Sequence, residues 1–253
     1  LHRLIRRQRQ MCIRDRNYGG TPFSNNASLR WQSMTMNRYE WDVKETFAWN
    51  WLDSRLLRGG PDVRFGSYFL TSAKFNTDKA KRMMFMLKYE GDHNFEGNRF
   101  NTISPSLTFR LGNHVYLSGQ LDYAWNTDEM QYVATTSPLS SSSLAPYYYV
   151  MGHMDQKTYG LTLKLQVNVT PDISIQFYGA PFTSIAKYDD FKLAADTKSH
   201  TFENRFQRID PDQLTYADGV YTIGEGAGQM PFRNPDFRFN EFRSNLVALS
   251  LIH

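Results

Sequence analysis

The strongest constraint in this sequence is a strict alternation of apolar and polar residues. Over residues 161–169 every second position is apolar, and the four positions between are polar: Thr162, Lys164, Gln166 and Asn168. A period of two places the two sets on opposite faces of a β-strand. The same pattern occupies 103–111 and 115–125. No segment of ten or more residues fits the helical period better, so the pattern predicts an all-β chain.

Further strands are predicted at 41–51, 63–75, 83–90 and 173–178, with less regular candidates at 28–36 and 242–248. The total is about eight or nine strands. Several of them have the length of about nine to eleven residues that crosses a membrane at a tilt, whereas a soluble strand usually has about five or six. Strand length therefore favours a membrane protein. A helical span is excluded, because no apolar run of about 18 residues occurs.

The connections alternate between short and long. Short ones lie at 37–39, 76–81, 112–113 and 170–172, and long ones at 52–62, 91–98, 126–156 and 181–241. A membrane barrel has tight turns at one rim and long loops at the other. We therefore expect an antiparallel up-and-down transmembrane β-barrel, truncated, with a soluble β-sandwich or barrel as the alternative. Within the last connection, 214–223 with Asp218-Gly219 at its centre predicts a small hairpin that folds over the mouth or into the lumen.

A barrel of this kind assigns the two faces of each strand to lipid and to the lumen. The residues expected to face lipid are Leu117, Leu121, Leu161, Leu163, Leu165 and Val167. The polar residues expected to face the lumen are Arg110, Asp122, Lys164, Gln166 and Asn168. Charged groups on that face need no special partners in a wet lumen, although the outer face of a soluble sheet would satisfy them equally.

The net positive charge of the chain comes from its first 16 residues. These hold six arginines and one aspartate, and the other residues carry 23 basic and 24 acidic side chains. Residues 1–16 and 249–253 look like translated sequencing-adapter read-through, so we expect an artefactual or disordered leader, a partial barrel domain at 17–248 and an artefactual tail. A nucleic-acid partner is not expected. With Cys12 set aside, no disulfide or thiolate site remains.

Two motifs have a ligand-binding and a packing interpretation. Arg55 and Arg58, followed by Gly59-Gly60-Pro61, can bind an anion or form a rigid loop. Tyr147, Tyr148 and Tyr149 can stack on sugar rings or pack a loop onto the barrel rim. The histidines show no zinc spacing, and no metal or cofactor is predicted. A glycosidase would need a facing carboxylate pair, for which Asp122, Glu45 and Glu90 are candidates.

Four segments together resemble one envelope family. They are 55–61, 155–158, 170–182 and 234–245, and they occur in the expected order. The chain is similar to the C-terminal barrel of the domain of unknown function 5916 family, whose members usually carry an N-terminal carbohydrate-binding family 9-like domain. The resemblance implies the outer membrane of a Gram-negative bacterium, contact with outer-membrane lipid, and carbohydrate binding through the N-terminal domain that this chain lacks.

The resulting hypothesis is the barrel portion of a carbohydrate-associated cell-envelope protein with no catalytic site of its own. Two alternatives stay open. One is a surface glycosidase-like β-protein that acts on glycans, and the other is a transport or export channel.

Overall fold

The computed structural model describes residues 5–16, 22–49, 51–112, 114–139, 146–170 and 172–250. The prediction of an all-β chain is confirmed. The strands are β1 (Ile5–Arg16), β2 (Pro22–Met34), β3 (Glu40–Trp49), β4 (Trp51–Asp53), β5 (Val63–Phe65), β6 (Tyr68–Asn76), β7 (Met83–Asn94), β8 (Arg99–Leu111), β9 (Val115–Thr136), β10 (Tyr148–Asn168), β11 (Ile173–Ala194), β12 (Phe206–Arg208), β13 (Leu214–Ala217), β14 (Val220–Ile223), β15 (Met230–Arg233) and β16 (Phe237–Ser250). One short helix, α1 (Phe202–Arg205), precedes β12. No helix in the described ranges is long and apolar enough to cross a membrane.

Eleven strands form one antiparallel sheet, more than the eight or nine predicted. Their order is β1-β2-β3-β6-β7-β8-β9-β10-β11, and β12 and β16 both pair with β11 at different heights. Strands β4 and β5 form a separate hairpin, and β13 to β15 form a small sheet. Among the described strands no pairing joins β1 to β12 or β16, so the sheet has two open edges and closure into a barrel is not observed.

The three longest strands extend well beyond their predicted ends. Strands β9, β10 and β11 have 22, 21 and 22 residues, so much of the predicted loops 126–156 and 181–241 is strand. Apolar side chains are buried on both faces of these added parts, as the adjacent Val150 and Met151 show, so the alternation is lost there. Register shifts also occur near 129–133 of β9 and at Asp190 of β11. An extra residue ends the alternation in the sequence, whereas the sheet absorbs that residue as a β-bulge and continues.

Part of the arginine-rich leader forms a strand. Strand β1 pairs with β2 from Ile5 to Arg16. Strand pairing uses backbone groups that almost any residue supplies, so it does not require the alternation that the leader lacks. At the other end, β16 includes two residues of the predicted tail, and 251–253 lie outside the described residues. The adapter origin of both segments stays a prediction.

The buried side chains form two clusters at the long-loop end of the sheet, on opposite faces. Met151 belongs to the first cluster with Leu57, Val63, Met130 and Phe206. Its neighbour Val150 belongs to the second with Phe191, Ile223 and Phe232. Successive residues of a strand point to opposite faces. The β4–β5 hairpin and α1 therefore cover one face, and the small sheet covers the other.

The small sheet lies across the polar face of the long strands. The Thr136 hydroxyl donates to the Pro231 carbonyl at 2.9 Å, which ties β15 to the end of β9. The bulges lie in β9 and β11, so the side chains of β10 alternate without interruption. Val150, which packs against the small sheet, therefore lies on the same face as the polar Lys164. The predicted hairpin is present as β13 and β14, and Asp218 and Gly219 have φ angles of 50° and 79°. Such a turn requires positive φ at both central residues.

Phe232 should be the main attachment of the small sheet. Its ring lies 5.0 Å from that of Phe191, and only 5% of the residue is exposed. We expect Phe232→Ala to lower the free energy of unfolding by about 3–5 kcal/mol, because the lost ring leaves a cavity. Urea unfolding followed by tryptophan fluorescence measures the change. The exposed Tyr216 of the same sheet is the control, and an equal loss for Tyr216→Ala would contradict this assignment.

Candidate functional site

The apolar face of the sheet is continuous across neighbouring strands and exposed. One row in register crosses five strands and contains only large apolar side chains: Phe109, Leu117, Leu165, Phe177 and Leu246. All six residues predicted to face lipid lie on this face. Leu117, Leu121 and Leu163 are 42%, 56% and 38% exposed, which shows that no described part of the chain covers them.

The opposite face is polar over the same strands. The neighbouring row in register contains Thr108, Ser118, Lys164, Tyr178 and Asn245. Arg110 and Gln166 lie in the next row on this face, and both are in register with Tyr116. Alternation places Asp122 and Asn168 on the same face. The structure therefore brings the five predicted lumen-facing residues to one side of the sheet.

The three carboxylates considered for glycoside hydrolysis are each held by separate partners. Glu45 lies on the apolar face, in register with Leu29 and Thr71, and accepts a hydrogen bond from the Thr71 hydroxyl at 2.9 Å. Asp122 accepts hydrogen bonds from the Ser104 hydroxyl at 2.5 Å and the Gln120 amide at 2.8 Å. Glu90 forms an ion pair with Lys88 at 2.7 Å. Each carboxylate thus has a structural partner of its own.

The arginine-glycine loop at 55–61 serves mainly to pack the β4–β5 hairpin. Leu57 is 1% exposed within the first cluster, and a Cβ on Gly60 would lie 2.6 Å from the Tyr149 ring. Gly59 has a φ of 106°, which favours glycine. The Arg58 guanidinium lies 4.7 Å from the centre of the Tyr132 ring, whereas Arg55 is exposed. These contacts support the rigid-loop interpretation over an anion site.

The three consecutive tyrosines do not form a common surface. Tyr149 packs against the first cluster, and Tyr148 is in register with Thr136 of β9. Tyr147 precedes β10 and is 71% exposed. Because adjacent strand residues face opposite ways, Tyr148 and Tyr149 cannot stack on one sugar ring. The packing interpretation fits Tyr149, and Tyr147 alone is free to reach a ligand.

A buried lysine organises an ionic cluster next to the first hydrophobic cluster. Lys192 is fully buried, and its Nζ lies 3.4 Å from Asp190 and 3.6 Å from Glu129. Glu129 also accepts a hydrogen bond from Nδ1 of His153 at 2.9 Å. A buried charge is tolerated only when it is paired. The cluster therefore links β9, β10 and β11 through side chains as well as through the backbone.

Arg205 is the second fully buried cation. Its guanidinium forms an ion pair with Glu96 and donates to the carbonyl of Arg64. Glu96 in turn accepts a hydrogen bond from the Gly66 amide at 3.0 Å. Arg205 thereby fixes α1 to the β5 hairpin strand and to the loop after β7. Sequence reasoning missed Lys192 and Arg205, because nothing in their local pattern marks a buried cation.

Burial and neighbouring charges shift several pKa values in this region, which lies beyond the ends of the exposed apolar rows. Burial raises the pKa of the Asp128 carboxyl, and the amide of Met130 offsets this only in part. Burial lowers the pKa of His153, but the Glu129 carboxylate, its hydrogen bond and two nearby aspartates outweigh burial, so that the net shift is upward. His153 is therefore more easily protonated in the folded chain.

Stability should depend on pH through His153. A folded-state pKa above the unfolded value, about 6.5, contributes stability that is complete below that pH and disappears as pH rises through the folded value. We expect His153→Gln to cost up to about 1 kcal/mol at about pH 5.5 and almost nothing near pH 9. Urea unfolding at both pH values tests this. The exposed His200→Gln is the control, and a pH-independent loss for His153→Gln would refute the assignment.

Gly60 should be intolerant of any side chain. An alanine Cβ would lie 2.8 Å from the Leu57 Cβ as well as 2.6 Å from the Tyr149 ring. Overpacking of this kind costs about 1–3 kcal/mol. We expect this loss of unfolding free energy for Gly60→Ala, and almost none for Gly228→Ala, where a Cβ meets nothing within 4 Å. Equal losses in urea unfolding would show that the packing interpretation of the loop is wrong.

Comparison with protein families places most of the chain in one of them. A family model described as a domain of unknown function, DUF5916, matches residues 4–216, which is most of the chain. No curated protein matches it. The matched range starts just before β1, ends within β13 and includes the whole first hydrophobic cluster. Of the second cluster it includes Val150 and Phe191, whereas Ile223 and Phe232 lie beyond it.

Proposed function

Because the chain belongs to the domain of unknown function 5916 family, we propose that it forms the membrane-spanning β-barrel portion of an outer-membrane protein in a Gram-negative envelope. In this proposal outer-membrane lipid contacts the apolar face, and the polar face lines the lumen. The parent protein is associated with carbohydrate through a separate domain. The described residues serve as a membrane-spanning scaffold in this proposal, and no catalytic role is assigned to them.

The observation that carries the proposal is the exposed apolar face. Apolar surface in water costs about 25 cal/mol per Å², and exposed patches larger than a few hundred Å² are rare outside binding or membrane surfaces. The row from Phe109 to Leu246 crosses five strands without a polar side chain. Hydrocarbon is a partner that matches such a face along its whole width.

Aromatic pairs lie towards both ends of the apolar face. Near the short turns, the rings of Trp41 and Phe75 are 4.4 Å apart. Towards the long connections, Tyr123 lies 5.2 Å from Trp125 and 5.0 Å from Tyr159. From Leu117 to Trp125 a strand rises roughly 27 Å, which at a barrel tilt of about 40° spans roughly 20 Å of an apolar band that is about 25 Å tall. Aromatic belts at membrane interfaces have this arrangement.

A membrane location would require pairing partners for the two open edges of the sheet. Lipid cannot hydrogen-bond to backbone groups, so a spanning sheet must close on itself or pair with further strands. Among the described strands, β1 and β16 each have one edge without a strand partner over most of their length. We propose that these edges are paired in the membrane.

A transport or export channel is the second candidate function. The polar face that favours it carries Lys164, Gln166 and Asp122 on neighbouring strands, as a water-filled passage would need. Conductance across planar bilayers containing the purified protein tests this candidate. Single-channel steps would support it, and an electrically silent but inserted protein would exclude it.

Two adjacent residues of β10 provide a sharp test of the membrane location. Leu163 and Lys164 lie on opposite faces. In proteoliposomes of a Cys12→Ser background, we expect a water-soluble maleimide to label Lys164→Cys at least tenfold faster than Leu163→Cys, because lipid shields the second. A spin label at each position should show the reverse preference for a lipid-soluble quencher. Equal labelling of both, or recovery of the protein without lipid after expression in a Gram-negative host, would refute the proposal.

A further inference from the structure

The apolar face of strands β9, β10, β11 and β16 ends at a row that carries two cations. From the short turns up to this row, every residue of the four strands that points to the apolar face is uncharged. The row itself contains Trp125, Lys157, Ile185 and Arg238 in register. Lys157 and Arg238 therefore lie on either side of Ile185 and are the first charged side chains on this face.

A third cation lies one row farther from the short turns. Lys187 follows Ile185 by two residues on β11, so both point to the same side of the sheet. Lys157, Lys187 and Arg238 thus surround Ile185 on three neighbouring strands, and all three are exposed. We call these three residues the basic cluster.

The carboxylates of this region lie on the far side of the basic cluster from the apolar face. Asp155 is in register with Lys187, and Asp189 lies one row beyond it, in register with His153. Asp155 accepts a hydrogen bond from the Thr127 hydroxyl at 2.8 Å and lies 3.6 Å from Nε2 of His153. Within the described part of the chain, no member of the basic cluster forms an ion pair.

The basic cluster lies at the height where the apolar band of a membrane barrel ends. Val167 belongs to the end of the apolar face near the short turns, and Lys157 is ten residues away from it along β10. Such a length of strand rises roughly 34 Å, which at a barrel tilt of about 40° spans roughly 26 Å. An apolar band about 25 Å tall therefore places Lys157 and Arg238 where lipid headgroups begin.

We propose that the basic cluster binds the phosphate group of an anionic membrane lipid whose acyl chains lie on the apolar face. This inference rests on the membrane location proposed above. An anion that approaches along the apolar face meets Lys157 and Arg238 before it meets either carboxylate. That order suits a phosphate attached to an apolar body better than a soluble phosphate.

The side chains of the cluster match both parts of such a lipid. The Arg238 guanidinium can donate two parallel hydrogen bonds to phosphate oxygens, and the two lysines add flexible ammonium groups. Phe242 lies on the same face of β16, nearer to the short turns, and is 65% exposed. Its ring and the side chain of Ile185 provide an apolar surface for the upper part of an acyl chain.

Native mass spectrometry of the full chain in detergent micelles tests the inference, because it counts the lipids that stay bound. The probes are phosphatidic acid and phosphatidylcholine with identical acyl chains, and glycerol 3-phosphate, which has the phosphate without acyl chains. We expect phosphatidic acid to bind at least tenfold more tightly than phosphatidylcholine, whose choline group offsets the phosphate charge. Glycerol 3-phosphate should bind at least tenfold more weakly than phosphatidic acid.

Variants of the cluster locate the site. Lys157→Gln and Arg238→Gln should each weaken the binding of phosphatidic acid about fivefold, because each removes one cation from the membrane surface. Lys164→Gln is the matched control: it removes an exposed cation from the same strand on the opposite face and should leave binding unchanged. Circular dichroism should show the same β-signal for all three variants.

Three results would overturn the inference. The first is equal affinity for phosphatidic acid and phosphatidylcholine. The second is a loss for Lys157→Gln and Arg238→Gln that is no larger than the loss for Lys164→Gln. The third is binding of glycerol 3-phosphate as tight as that of phosphatidic acid, which would make the cluster a site for soluble phosphate.

The maleimide experiment separates this inference from the membrane location. Shielding of Leu163→Cys together with no preference for phosphatidic acid would refute the lipid site alone. Equal labelling of Leu163→Cys and Lys164→Cys would refute the membrane location, and the lipid site with it.

Discussion

The ladder of backbone hydrogen bonds that β10 makes with β9 and β11 is the contact on which the other features depend. It runs from Val150 to Val167 on both sides of the strand. One rigid element therefore spans two environments. Near the short turns its side chains present an apolar and a polar surface, and near the long connections both faces are buried by other parts of the chain. Alternation of side chains is enough to produce the two surfaces near the short turns. Near the long connections, other parts of the chain must also cover both faces of the strand.

The change between the two halves coincides with the bulges. Extra residues in β9 and at Asp190 in β11 increase the local twist and change the direction of side chains without ending the pairing. Charged residues gather at the same level: Glu129, His153, Asp190 and Lys192 connect the three strands there. Glu129 of β9 contacts His153 of β10 and Lys192 of β11, so these contacts form only after the ladder has fixed its register.

The alternating lengths of the connections predicted the antiparallel order of the strands. The alternation at 103–111, 115–125 and 161–169 predicted the strands there, because a period of two is a local property of the sequence. It failed where structure depends on distant residues. The arginine-rich segment shows no alternation, yet it pairs with β2 as strand β1. The sequence left the loop at 55–61 open between an anion site and a rigid loop, because the contact that Gly60 makes is with the ring of Tyr149 almost ninety positions later. The local sequence around Lys192 and Arg205 does not indicate burial, because their partners Glu129 and Glu96 are distant in the chain.

The shared edge of β11 has a consequence for the order of folding. β12 follows β11 after a short connection, whereas β16 returns only after 209–236 has crossed the polar face. Closing so long a loop costs conformational entropy that the pairing of β16 must recover. The local hairpin of β13 and β14 shortens the effective loop before β16 arrives, and the amide of Tyr188, which donates to Asp236 at 2.7 Å, fixes the point at which β16 starts. The small sheet thus acts as a spacer that sets the register of the final strand.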